Sequence, residues 1–205
     1  MTKYRDEPIL TSDIKLIHWL GLDHFKPEQA LTSHFVSTKT LFFIRLLWTT
    51  YMTAVIWIDI IYTLLTGEFR HFLVYFTDLT SIGLYAYLMT TCIHHAKYLQ
   101  SKRPDSFLNQ AAVLNYLYVY LYHTIITYNI LTPVVFWALL AKERLFEAHL
   151  PVIECWISIS LHAVTMMMMV MEIMLSRMVI QIRMILLVFG TVLLYLGMVF
   201  IVFAM

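Results

Sequence analysis

Residues 111–141 read AAVLNYLYVYLYHTIITYNILTPVVFWALLA, a run without a single Lys, Arg, Asp or Glu. Its first half alternates tyrosine with aliphatic residues (Tyr116, Tyr118, Tyr120, Tyr122) and so mimics a β-strand. Length decides otherwise. A helix of ~20 apolar residues crosses a hydrocarbon core, whereas an open strand edge leaves amides that lipid cannot satisfy. The run therefore reads as a membrane helix with length to spare for a kink, and Pro133 is the place for it.

Four more apolar segments of similar kind surround it, near 40–65, 71–93, 153–175 and 183–205. The connections are short and polar: TGEFR, HHAKYLQSKRPDSFLNQ, AKERLFEAHLP and SRMVIQIR. The expected fold is an all-α polytopic membrane bundle of about five spans over residues 39–205. Residues 1–38 form a polar leading segment with one amphipathic stretch, IKLIHWLGLDHF (Ile14–Phe25). That stretch reads either as a helix lying in the membrane interface or as one packed on the bundle's own loops.

Composition agrees. Of 205 residues 60% are hydrophobic and 13% charged, with mean hydropathy +0.74; a soluble domain carries about 25% charged residues. Five Gly and five Pro exclude collagen-like and linker-dominated chains. A formal charge of +1 without a dense basic block excludes a nucleic-acid surface. Cys92 and Cys155 are too few for a disulfide framework or thiolate metal site, and the expected topology puts them at opposite faces. Acids at Asp6, Glu7, Asp13, Asp23 and Glu28 argue against a signal peptide or presequence, so targeting is expected through the first membrane helix.

Lys and Arg set the expected orientation. Ten of them (Lys3, Arg5, Lys15, Lys26, Lys39, Lys97, Lys102, Arg103, Arg177, Arg183) fall on the side of the N-terminus, against Arg70, Lys142 and Arg144 on the other. This predicts a cytoplasmic N-terminus. Five spans place the C-terminus on the opposite side, and the apolar run to Met205 fits a short tail or a sixth helix beyond it.

Polar groups at membrane depth are costly and mark places to look for function. At ~1.5 Å per residue, Thr77 falls ~9 Å and His162 ~14 Å below the outer ends of their helices. By the same count His123 reaches the level of His162, and Asp59 lies in the same outer half. Thr77, Thr80 and Ser81 share a helix face, with Asp78 about a quarter turn away. Such a layer suits nucleophilic attack on a lipid carbonyl: Thr77 attacks, His162 takes its proton, and Asp78 or His123 orients or polarises.

Plainer readings stand beside this one. A membrane threonine commonly bonds its own i−4 carbonyl, and an intramembrane histidine can be an interhelical bond. Asp59 and Glu172 read as bundle-facing partners of hydroxyls or of Arg45, and Met166–Met169 as adaptable packing. His123 and His162 could instead be axial ligands of a haem. Zinc finds no HExxH or close His/Cys cluster, since the adjacent His94 and His95 face different ways.

Three stretches carry a family resemblance: HFLVYFTDLTS (71–81), VVFWALL after Pro133, and ECWISISLHAVTMMMMVME (154–172), in which Glu172 follows His162 by ten residues. In this order they resemble the family of androgen-induced membrane hydrolases and rolling stone proteins, over roughly residues 40–205. The hydrolase branch implies a membrane threonine hydrolase of fatty acid esters of hydroxy fatty acids. Its nucleophile carries over to Thr77, with Thr80 less well aligned, and its base to His162; no metal or organic cofactor is implied. The family generally has six spans, one more than expected here. The rolling stone branch is associated with cell fusion, so the resemblance leaves a second function open: a non-catalytic accessory or scaffold subunit among other membrane proteins. The expected partners are membrane lipids or a fatty acyl ester substrate, with other membrane subunits in the scaffold role; the expected location is an endomembrane or the plasma membrane, with an organelle's inner membrane as the alternative.

Overall fold

The computed structural model describes residues 8–9, 12–147 and 150–204; Lys3 and Arg5 of the charge count, and Met205, lie outside the described residues. Among those described there is helix and no strand. Five long helices make the bundle: α1 (Thr38–Thr66), α2 (Phe76–Ser101), α3 (Ala112–Leu140), α4 (Val152–Leu175) and α5 (Ile182–Ala204). Helix α1 starts where the Ser37 hydroxyl accepts the Thr40 N–H at 3.1 Å, and stops where Gly67 turns left-handed at φ 79°.

Four of the five, all but α2, are long and apolar enough to cross a membrane. The sequence reading counted five such segments. Helix α2 has the length, 26 residues, but its polar side chains lower its apolarity. Asp78, Thr80, Ser81, Thr91, His94 and His95 are all buried, because α2 lies between α1 and α3. A helix enclosed by its neighbours does not need an apolar perimeter.

Helices α1 to α4 share one core, in which Met52, Leu84, Tyr87, Leu88, Tyr122 and Met169 are fully buried. Helix α5 enters this core at its first turn through Met184 and otherwise packs outside it against α3, burying only Val188 of its later residues. Within the core Arg45 of α1 meets Glu172 of α4, both fully buried. Arg45 Nε donates to Glu172 Oε2 at 3.0 Å, and Arg45 Nη2 to Oε1. Tyr87 Oη donates to Glu172 Oε1 at 2.8 Å, and Arg45 Nη1 to the carbonyl of Ala30 at 2.7 Å. Of the partners expected for Asp59 and Glu172, hydroxyls or Arg45, Glu172 has both kinds; the network ties α1, α2, α4 and the leading segment together.

That segment forms short helices, Lys15–Leu20 and Pro27–Leu31, and caps one end of the bundle. Of the two readings of its amphipathic stretch, the structure shows packing on the bundle. Leu20 and Phe25 are in the core, with Phe25 against Phe107 at 5.3 Å, while Ile14, Leu16 and Trp19 point outward. Arg183 donates to the Trp19 carbonyl and the Arg177 N–H to that of Gln29. The segment and the connections after α2 and α4 therefore share one end, as the charge count grouped them.

Helix α3 continues past Pro133 and widens into a π-helical turn at Phe136–Leu140. Proline has no N–H to continue the regular ladder, and the wider turn follows within three residues. Along this helix Asn115, Tyr118, Tyr122, Ile126 and Asn129 are buried, a helical and not a strand period.

Candidate functional site

At the end opposite the leading segment lies a cavity of about 420 Å³, a volume within the range of small-ligand sites. Asp59 and Tyr62 of α1, Asp78 of α2, Phe136 of α3, and Glu154 and Leu161 of α4 contribute to its wall. Asp59 and Asp78 are only 8% and 9% exposed, yet neither carboxylate hydrogen-bonds to a described residue. Tyr62 Oη donates to Glu154 Oε1 at 2.6 Å and closes the wall between α1 and α4.

His162 stands behind this wall. It belongs to a π-helical turn, Ser160–Val164, and its ring stacks flat on Phe136, with centroids 3.8 Å apart and planes at 10°. The residue is 7% exposed, and among the described residues its Nδ1 has no hydrogen-bond partner. Ser160, at the start of the same turn, donates to the Trp156 carbonyl and meets Tyr51 Oη of α1 at 2.8 Å, which fixes the turn against the bundle.

Thr77 occupies the first turn of α2, one residue before Asp78, and is half-buried; it is not itself part of the cavity wall. Its carbonyl accepts the hydroxyls of Thr80 (2.9 Å) and Ser81 (2.8 Å). Thr80 is thereby engaged locally and faces a separate crevice of about 140 Å³ between α2, α3 and α5. No side chain caps the start of α2, so the N–H groups of Thr77 and Asp78 point out of the helix without an intrahelical acceptor.

Two predicted members belong elsewhere. His123 Nδ1 donates to the Val119 carbonyl at 2.7 Å, and its Nε2 accepts the Gln181 N–H at 2.8 Å. Phe136, the partner of His162, follows His123 by thirteen residues on α3, an axial distance of ~20 Å. His123 is thus not level with His162, because the depth count started each helix from an assumed end. With both nitrogens engaged it is not placed to share a haem iron with His162. Glu172 is the other: it neutralises Arg45 in the core, ten residues beyond His162.

The sequence reading undervalued Glu154 and Phe136, residues it quoted only within larger stretches. The available signal was position: Asp59, Asp78 and Glu154 are acids of three segments at the same expected end. His94 and His95 do face different ways, His94 to Ser106 Oγ at 2.8 Å and His95 toward Arg45. Among the described residues one group has metal-ligand proximity: His18, Asp23 and His24, at the opposite end of the bundle. Burial opposes ionisation of Asp23, but the Ser12 N–H and His18 together hold its carboxyl below the usual carboxylate range.

Comparison of the chain with protein-family models, with curated proteins and with solved structures returned no match.

Proposed function

We propose that this protein is a membrane-embedded hydrolase of lipid acyl esters, with Thr77 as nucleophile and His162 as general base. The observation that carries the reading is His162: a nine-tenths buried imidazole with an unpartnered Nδ1, stacked on the wall of a carboxylate-lined cavity. The family resemblance of the surrounding stretch points the same way.

In this reading the ester carbonyl sits between Thr77 and His162. Thr77 Oγ1 bonds to the carbonyl carbon while its proton passes to the imidazole. The oxyanion is met by the N–H groups of Thr77 and Asp78, which have no intrahelical acceptor at the start of α2, where the helix dipole also favours negative charge. Collapse breaks the ester C–O bond, and the leaving alkoxide takes the proton back from His162. A water deprotonated by His162 then hydrolyses the acyl-threonine and releases the fatty acid. The N-terminal end of the bundle faces the cytoplasm and the cavity the other side of an endomembrane or the plasma membrane.

The test is fatty acid release from a branched fatty acid ester by the detergent-purified protein. Thr77→Ser keeps turnover, whereas Thr77→Ala and His162→Ala abolish it at unchanged melting temperature. If the alanine variants only lower the melting temperature, or if folded, lipid-supplied wild type shows no turnover, the hydrolase reading falls and an accessory membrane role takes its place.

A further inference from the structure

The leading segment carries a polar cluster that neither the bundle nor the proposed hydrolysis uses. In His18-Trp-Leu-Gly-Leu-Asp23-His24, Gly21 adopts φ 78°, and the chain reverses into a tight turn over Leu22–His24. The reversal brings the two imidazoles edge to face, with centroids 4.9 Å apart and planes at 85°. Between them lies Asp23, only 2% exposed. Its Oδ2 accepts the Ser12 N–H at 3.1 Å and meets His18 Nδ1 at 3.0 Å. Its Oδ1 lies 3.9 Å from His24 Nε2 and has no hydrogen-bond partner among the described residues. A buried carboxylate oxygen left unpaired is costly, and natural proteins resolve such groups with a donor or a cation.

We propose that His18, Asp23 and His24 form a zinc site. One donor atom from each lies within 4.8 Å of the other two. Zn–N and Zn–O bonds near 2.0–2.2 Å put donors ~3.3 Å apart in a tetrahedral shell, so the cluster needs only to contract. The carboxylate is the fixed ligand, and the histidine side chains, 56% and 49% exposed, can rotate onto the ion while water fills the fourth position. Two imidazoles and one carboxylate suit zinc; calcium takes six to eight oxygens and magnesium an octahedron of them. The site would lock the Ser12–Asp23 loop and hold the turn that sets Trp19 under Arg183, 5.6 Å from its ring, at the capped end of the bundle.

The test uses the full chain, purified without a polyhistidine tag and stripped with chelator. Titration with Co²⁺ alone is expected to give one ion per chain with the intense visible bands of four-coordinate cobalt, displaced by Zn²⁺. Asp23→Asn and His24→Ala each weaken binding by more than ~10-fold, and His34→Ala, an exposed histidine outside the cluster, leaves it unchanged. The His24 ring is half exposed and outside the core, so His24→Ala decides the matter even if Asp23→Asn folds poorly. Zn²⁺ also raises the melting temperature of wild type but not of His24→Ala. Substoichiometric uptake, a pale six-coordinate spectrum, or equal affinity in His24→Ala overturns the proposal.

Discussion

Substituting Glu172 by Gln probes the centre of the bundle and separates a structural glutamate from a catalytic one. Gln matches Glu in shape and keeps one acceptor oxygen but carries no charge, so the fully buried Arg45 guanidinium loses its counter-charge and one of its two bonds to residue 172. Removing one partner of a buried ion pair costs about 3–5 kcal/mol, chiefly because the remaining charge stays desolvated. For a chain of this size that is a fall in melting temperature of about 6–20 °C. Unfolding would be followed in detergent by circular dichroism, with Arg45→Met and the double variant completing a cycle. The double variant should recover part of the loss, since two neutral groups no longer leave a charge stranded. If Glu172→Gln melts like wild type while fatty acid release disappears, the ion pair is not what the glutamate provides and the structural reasoning fails.

Two further outcomes follow from the geometry. His123→Ala removes the acceptor of the Gln181 N–H and should cost about 1–3 kcal/mol in the same melt; added haemin should give no stoichiometric Soret band with wild type, and a band lost in His123→Ala would contradict the assignment. Gly21→Ala places a Cβ at φ 78°, 3.2 Å from the Gln181 side chain, a backbone cost of about 1–2 kcal/mol. It should lower the melting temperature and weaken Co²⁺ uptake together; tight uptake with an unaltered melt would show that the turn does not assemble the site.

The fold class was legible because its determinant is local. In lipid every amide must find its partner within a few residues, so charge-free length alone selects helix over the strand that Tyr116–Tyr122 imitates. The common end of the leading segment and the second and fourth connections was legible too, since it follows from connectivity and charge. Helix α2 was harder to read: its buried Asp78, Thr91 and His95 are tolerable only because α1 and α3 enclose them, and enclosure is invisible in a hydropathy run.

The site divides the same way. The sequence singled out Thr77, Asp78, Asp59 and His162 as polar groups at one end, and the structure sets Asp59 and Asp78 on one cavity, with His162 behind its wall. It could not place His123, because depth counted from assumed helix ends ignores how helices slide past one another. By itself the sequence determined a helical membrane bundle and the residue types available at each end, since those depend on hydrophobicity and on hydrogen bonds four residues apart. Only the tertiary structure decided which groups meet: Glu172, and not Asp59, with Arg45 across 127 residues, His162 flat on Phe136, and Asp23 between two histidines. Those pairings are set by interhelical packing and by one left-handed glycine, and no short-range rule encodes them.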